Sequence, residues 1–569
     1  MRGSVASKPP LKNFARASTR ATHIPEHCSR APPGTMSSET SQTSQTSTRS
    51  IGRRMGIAAL ILAVSTFLSR ILGFLREAVI VYTHGASATT DAYQAAFTMP
   101  DMMNYVLAGG TLSITFIPLF SAYVASDDEE GAWRLFSTIA TTMGSVLAIC
   151  IALGYVLAPQ IVPLLNPGFN DPEQLDLAVS MTRIVLLAPM AFYIGGLIQG
   201  SLFVREIFWP SAISPLIYNL CIIGGGVLLD PWFGIKGFAI GVVIGALLGP
   251  LAVPMWAARN EVKFKARFAP FDPDFRAFLL LTLPLMVGVS LVTVDEWFLK
   301  YFGSLQGDGA ITWLANARKL MMVIFAIIGQ AAGQAALPFL TRLFHQGEEE
   351  EMGQMLSRSL QRVGFLAMVG AAGLIVAAYP LVHAIFRHGE FSASDADTMA
   401  GLLVVFACGL WAWAVQTLAV RGYYARKNTL TPMILGSITV ALAAPLYAIF
   451  GESFGVRGLA MATTAGMTLN ALVTIGYYRW KVGHLPLGPI VRGTLRGALH
   501  GAWAAAAAYG VFRLWGTPAA GLQLAGLAAL LATMGTAFFA ALGLSAWLFS
   551  PPELDVILDR VKRRLKRSP

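Results

Sequence analysis

Apolar blocks of 20 or more residues recur along almost the whole of this chain, and they constrain the fold before any motif does. A run of that length matches the hydrocarbon thickness of a bilayer when it is helical. Inside lipid every backbone N–H and C=O must be satisfied within the segment, which leaves helices as the spanning element for runs this long. The 569 residues are 55% hydrophobic and only 13% charged, with a mean hydropathy of +0.59. A soluble chain carries about 25% charged residues, so a soluble multidomain enzyme is excluded.

The pattern predicts an all-α integral membrane protein with about fourteen spans. Their approximate limits are 57–82, 91–124, 133–164, 175–204, 209–229, 236–257, 275–302, 310–343, 355–385, 397–424, 431–450, 456–479, 491–514 and 520–549. The second, third, eighth and ninth exceed one crossing. They are expected to tilt, to extend beyond the bilayer, or to kink at Pro100, Gly109-Gly110, Gly329 and Gly333. Residues 1–50 are polar and rich in Ser, Thr, Arg and Pro, so they read as a disordered tail, with Met36 and Met55 as alternative starts. The first apolar run is too long for a cleavable signal and lacks small residues behind it.

The net charge of +11 points to membrane surfaces rather than nucleic acid. With the N-terminus inside, the inner loops hold Arg53-Arg54, Arg134, Arg205, Lys263, Lys265, Arg342, Arg358, Arg362, Arg426-Lys427, Arg479 and Arg492. They also hold the basic tail that ends the chain. The outer loops hold little more than Lys236, Arg387, Arg457 and Arg513. This bias predicts that both termini are cytoplasmic. The four cysteines (Cys28, Cys150, Cys221, Cys408) show neither metal spacing nor a disulfide framework.

The chain also repeats itself. Gly200-Ser-Leu-Phe-Val-Arg205-Glu matches Arg421-Gly-Tyr-Tyr-Ala-Arg426-Lys, and Phe233-Gly-Ile-Lys-Gly237 matches Phe454-Gly-Val-Arg-Gly458, both at an offset of 221. Phe116-Ile-Pro118 matches Ala336-Leu-Pro338 at 220. Spans 1–6 thus resemble spans 7–12, and an even number of spans makes the two copies parallel. The expected units are a tail (1–50), an N-terminal lobe (51–260), a C-terminal lobe (261–485), two appended spans (486–550) and a basic tail (551–569). Two parallel lobes are a transporter plan with the site between them near the midplane.

Charges within the apolar spans are candidates for that site, because an arginine at the bilayer centre costs about 2.5–3.5 kcal/mol on insertion scales. Arg70 and Arg76 lie in the first span, about 9 Å apart along a helix and ~120° around it. They can border a wide cavity but not one narrow stripe. Ser69 stands beside Arg70. Arg318 sits in the eighth span, made partly polar by Asn316 and Gln330, and it ranks above Lys319 as a cavity residue. Arginine clusters of this kind suit an anionic ligand. Asp91 either caps the second span or pairs with a cavity arginine. Asp295 and Glu296 in the seventh span either bind a coupling cation or proton, or neutralise Arg318 or Lys300. No phosphate loop, HExxH or GxSxG is present, so no enzyme is expected.

Ser69-Arg70-Ile-Leu-Gly-Phe-Leu-Arg76-Glu77, Thr89-Thr90-Asp91-Ala-Tyr-Gln, Met99-Pro100, Ala315-Asn-Ala-Arg318-Lys, His388-Gly-Glu-Phe391 and Gly422-Tyr-Tyr-Ala-Arg-Lys-Asn-Thr-Leu-Thr-Pro432 resemble the MurJ (MviN) family. The resemblance spans roughly residues 57–550. It implies fourteen helices in two lobes, within the multidrug/oligosaccharidyl-lipid/polysaccharide exporter superfamily. It also implies the flipping of lipid II, the lipid-linked peptidoglycan precursor, across the bacterial inner membrane. The family's cavity arginines match Arg70, Arg76 and Arg318, and its helix-2 acid matches Asp91. The expected action is alternating access, with the pyrophosphate held by these arginines and the tail in a groove of spans 13–14. The expected setting is a monomer working with cell-wall synthesis proteins.

One departure stands out: many members carry an arginine where this chain has Asn104. Some members bind sodium between helices 7, 11 and 12. Asp295 matches the helix-7 acid, but Val440-Ala-Leu-Ala-Ala-Pro-Leu446 supplies no carboxylate. No resident cofactor is expected, and the drive is left between membrane potential and a sodium or proton gradient. The alternatives are an exporter of another polyprenyl-linked glycan, a drug exporter, or an integral-membrane enzyme acting on a lipid phosphate.

Overall fold

A computed structural model of the chain describes residues 64–105, 115–287, 291–515 and 523–554, and among these residues all regular structure is helical. The predicted tail 1–50, the Gly109-Gly110 kink and most of the basic tail lie outside the described residues. Helix α1 covers 64–84 and is followed by α2 (Ala88–Ala96), α3 (Thr98–Asn104) and α4 (Ile117–Ala125). Then come α5 (Glu129–Leu165), α6 (Pro172–Val185), α7 (Ala188–Val204), α8 (Trp209–Phe233), α9 (Lys236–Ala246) and α10 (Val253–Ala257). The middle of the chain forms α11 (Pro273–Val287), α12 (Leu291–Ser304), α13 (Ala310–Phe325), α14 (Ala331–His345) and α15 (Glu349–Phe386). The last helices are α16 (Ala393–Cys408), α17 (Leu410–Ala425), α18 (Leu430–Lys481), α19 (Leu487–Leu514) and α20 (Leu524–Phe549).

Among the described residues, eight helical stretches are long and apolar enough to cross a membrane, or nine if the bent pair α16–α17 is one span. Several are interrupted for identifiable reasons. A π-helical turn at Ala326–Gln330, containing Gly329, joins α13 to α14, at the kink the sequence predicts there. A second, at Leu247–Ala252, accommodates Pro250 between α9 and α10. The expected spans 431–450 and 456–479 fall within α18, whose 52 residues are broken at Gly455 (φ 62°, ψ −143°).

The break at Gly455 has a counterpart at Gly234 (φ 54°, ψ −146°), 221 residues earlier. Other residues of positive φ recur at nearly the same offset: Asp127 with Gly347 at 220, and Glu206 with Lys427 at 221. An ion pair recurs too. Arg205 lies 3.2 Å from Glu129, and Arg426 lies 3.2 Å from Glu349. Glu129 and Glu349, in the acidic clusters 127–130 and 348–351, thus each hold the arginine that follows a later helix.

The buried side chains form distinct cores. Leu314, Phe325, Trp413, Tyr423 and Tyr447 belong to one, built from α13 to α18. Tyr93, Ile222 and Phe238 belong to a second, and Phe116, Phe120, Trp133 and Tyr193 to a third, both within residues before 260 apart from a few later side chains. Phe275 and Phe278 of α11 join that third core, whereas Leu299 of α12 joins the first. The seventh predicted span is therefore divided between the two groups. A smaller core of Phe365, Ala504, Leu530 and Met534 fixes α19 and α20 against α15.

Candidate functional site

Helix α1 meets α13 at a cationic pocket of about 270 Å³. Arg70, Gly73, Phe74, Arg76 and Glu77 line it from α1, and Asn316, Lys319, Met322 and Val323 from α13. Gly73 keeps the wall open between the two arginines, since a Cβ there would meet only Asn219 Oδ1, 3.9 Å away.

One carboxylate organises the pocket. Glu77 is buried and accepts from Arg76 Nη2 at 2.6 Å, from Gln94 Nε2 at 3.1 Å, and lies 2.9 Å from Lys319 Nζ. Arg76 Nη1 also donates to Asn219 Oδ1 at 3.2 Å, and Asn219 Nδ2 reaches Ser69 Oγ at 3.5 Å. Arg70 is exposed and donates to Gln330 Oε1 across 3.2 Å. The pocket therefore sets three cations against one carboxylate, with Arg76 and Lys319 paired to Glu77 and Arg70 held by Gln330.

Arg318 turns away from this pocket. Its Nε donates to Asp295 at 2.8 Å, its Nη1 to Glu296 at 3.3 Å, and its guanidinium carbon lies 5.3 Å from the Trp413 ring centre. Asp295, fully buried, also accepts from the Tyr447 hydroxyl, which lies 3.2 Å from Thr463 Oγ1. Lys300 stands 3.7 Å from both Glu296 and Asp101. Of the two sequence readings for Asp295 and Glu296, pairing with Arg318 and Lys300 is the arrangement present. Among the described residues, no cluster of three His, Cys, Asp or Glu is placed to hold a metal.

Asp91 departs from the predicted cap of its own span. Ser87 is the N-cap of α2 and forms a capping box with Thr90. Asp91 instead accepts from Thr312 N at 2.8 Å and Thr312 Oγ1 at 2.7 Å, capping α13 from outside. The reason is local: the N-cap of α13 is Gly309, which has no side chain to do it. Asp91 and Thr312 are themselves 221 residues apart, so the contact joins repeat-equivalent helix starts. Gly168 N donates to Ser304 Oγ at 3.1 Å and Glu390 N to Tyr82 O at 2.9 Å, two further links between stretches distant in sequence. Asn104 ends α3 half-buried, and its Oδ1 has no hydrogen-bond partner among the described residues.

The sequence reading missed Lys319, Asn219 and Gln94. Lys319 had a signal: Asn316, Lys319 and Val323 share a helix face by their spacing, while Arg318 lies about 100° away. Asn219 and Gln94 carry no such signal, because their partners come from distant helices.

The sequence model of the family described as "Lipid II flippase MurJ" matches residues 80–527. This chain belongs to the MurJ family. A relative from Rhizobium meliloti (strain 1021), described as "Probable lipid II flippase MurJ", is 27% identical over 429 residues, covering 74% of this chain and 79% of its own length. A "Lipid II flippase MurJ" from Burkholderia cenocepacia is 26% identical over 428 residues, covering 74% and 83%. A solved lipid II flippase MurJ in an inward closed conformation superposes with a TM-score of 0.72 at 21% identity, over 86% of this chain and 100% of that one. An inward-facing multidrug resistance MATE transporter of the MOP superfamily gives 0.62 at 15% identity, over 75% and 98%. The two superpositions establish a fold shared by the MurJ and MATE proteins. MurJ membership places the chain among transporters and sets aside the enzyme alternative.

Proposed function

We infer that this chain flips lipid II, the lipid-linked peptidoglycan precursor, from the cytoplasmic to the periplasmic leaflet of the inner membrane. The observation that carries the reading is the α1–α13 pocket, which gathers Arg70, Arg76 and Lys319 beside one carboxylate, Glu77, that pairs with the last two. A pyrophosphate brings charge and acceptor oxygens that suit guanidinium forks, and in a weakly screened site such hydrogen bonds are strong. On entry it takes Arg76 and Lys319 from Glu77 and recruits Arg70, while Ser69 positions Asn219. Arg318 is the reserve charge of the same cavity, held by Asp295 and Glu296 until the lobes move. Asp91 holds the far end shut through Thr312. Asn104 stands where many relatives carry an arginine, and Lys319 compensates for it.

The supporting architecture is fourteen spans, with lobes at 51–260 and 261–485, the appended pair at 486–550 taking the lipid tail, and basic 551–569 at the inner surface. The recurring backbone breaks and ion pairs at the 220–221 offset support two related lobes. The loop charges support cytoplasmic termini. Alternating access follows as a rocking of the lobes, driven by membrane potential on the fixed charges or by ion exchange at Asp295 and Glu296. The chain works as a monomer beside the cell-wall synthesis proteins that consume its product. A drug-cation exporter needs the opposite sign in its cavity.

Depletion complementation tests the reading. The gene restores growth and lipid II translocation to cells lacking their own flippase; growth of neither kind would reject the assignment.

A further inference from the structure

A second cationic pocket shares no residue with the first and lies where the C-terminal lobe meets the appended helices. Arg358 and Arg362 are one turn apart on α15, and Arg492 and Arg496 are one turn apart on α19. The four line a pocket of about 410 Å³ together with Glu553. Glycines explain the convergence. A Cβ on Gly493 would fall 2.6 Å from the Gln361 carbonyl oxygen, and one on Gly497 would fall 2.5 Å from that of Phe365. The two helices are therefore in backbone contact, and the arginine rows that flank the seam face one another.

Glu553, its side chain fully buried, accepts from Gln361 Nε2 at 2.6 Å and from Arg496 Nη1 at 3.3 Å, and its Oε2 has no partner. It fixes Arg496 and leaves the pocket with surplus positive charge. Arg358, Arg362 and Arg492 are exposed and form no ion pair with any described residue. The sequence 555–569 carries Arg560, Lys562, Arg563, Arg564, Lys566 and Arg567 against Asp555 and Asp559, a net positive charge.

An apolar groove of about 500 Å³ adjoins this pocket and shares Arg496 and Pro552 with it. Leu499 and Trp503 of α19 and Phe549 of α20 line the groove, all strongly exposed. A charged pocket opening directly onto an apolar channel matches an amphiphile with an anionic head and a hydrocarbon tail. Basic pockets between membrane helices recognise such headgroups.

We propose that Arg358, Arg362, Arg492 and Arg496 form a binding site for an anionic glycerophospholipid, its phosphate among the guanidinium groups and one acyl chain along Leu499, Trp503 and Phe549. The headgroup pocket shares no lining residue with the α1–α13 cavity, while the acyl groove lies on the appended pair that the proposed function assigns to the lipid tail.

The test uses the full chain, purified and delipidated, then offered phosphatidylglycerol, phosphatidylcholine or inorganic phosphate, with bound species counted by native mass spectrometry. Phosphatidylglycerol is retained and the other two are not. The exposed substitutions Arg358→Gln, Arg362→Gln and Arg492→Gln together weaken retention roughly a hundredfold, each basic side chain near an anionic lipid contributing about fivefold. In an Arg70→Gln, Arg76→Gln background, which removes the cavity's own draw on anionic lipid, the α15 and α19 substitutions cause the same loss, which separates the site from the cavity. The single variants Arg362→Gln and Arg492→Gln serve if the triple variant does not fold. Equal retention of phosphatidylcholine, equal binding of free phosphate, or full retention by the arginine variants would each overturn the proposal.

Discussion

Glu77 is the residue on which the cationic pocket turns, because Arg76, Lys319 and Gln94 all bind it. Arg70→Ala, Arg76→Ala and Lys319→Ala each lower complementation, and Lys319→Ala acts at least as strongly as Arg318→Ala on binding of a lipid-linked pyrophosphate. The comparison ligand is an uncharged polyprenol, whose binding none of them changes. Arg318 has a different signature. Removing it strands the buried Asp295, which costs about 3–5 kcal/mol. Arg318→Ala therefore lowers the melting temperature in detergent, whereas Arg318→Gln with Asp295→Asn loses less than the two single changes summed. The sequence made Arg70 and Arg76 visible, since charge in an apolar run is costly wherever it occurs. It ranked Arg318 above Lys319, yet Lys319 and not Arg318 lines the pocket with them. That ranking depends on which carboxylate each meets, and Asp295 and Glu77 come from different helices.

At the scale of helices, the apolar blocks and their basic flanks were legible because one helix satisfies its own backbone within the bilayer. Breaks within helices were legible only where glycine or proline marks them. Gly329 was such a mark, and the π turn at Ala326–Gln330 lies on it. The break at Gly455 was read as a short connection between two spans, and two helical stretches do meet there, at a kink made by the non-helical backbone of that one glycine. Gly234 and Gly455 share a backbone region open essentially to glycine alone, which costs other residues about 1–3 kcal/mol. Gly234→Ala and Gly455→Ala are each predicted to destabilise the protein by that amount, measured as loss of thermal stability in the same detergent. Similar losses at the two sites are the expected outcome; no loss at either contradicts the repeat-equivalent role. The capping of α13 by Asp91 was invisible in sequence, because Gly309 gives no hint of which distant acid replaces its absent side chain.

For the molecule as a whole, Asp91–Thr312, Gly168–Ser304 and Tyr82–Glu390 are the links proposed to hold one end shut, while Arg70 at the pocket is exposed. Alternating access requires that seal to part. In a background without the native cysteines, Asp91→Cys with Thr312→Cys, once oxidised, is predicted to abolish translocation, and reductant restores it. Undiminished translocation by the cross-linked protein would contradict a moving seal. The central claim is that the cationic pocket carries the anionic head of a lipid-linked precursor across the membrane. The most direct measurement is lipid II translocation in cells depleted of their own flippase. The wild-type chain restores it, and the triple variant Arg70→Ala, Arg76→Ala, Lys319→Ala, present in the membrane at equal amount, does not. Full translocation by that variant would contradict the account.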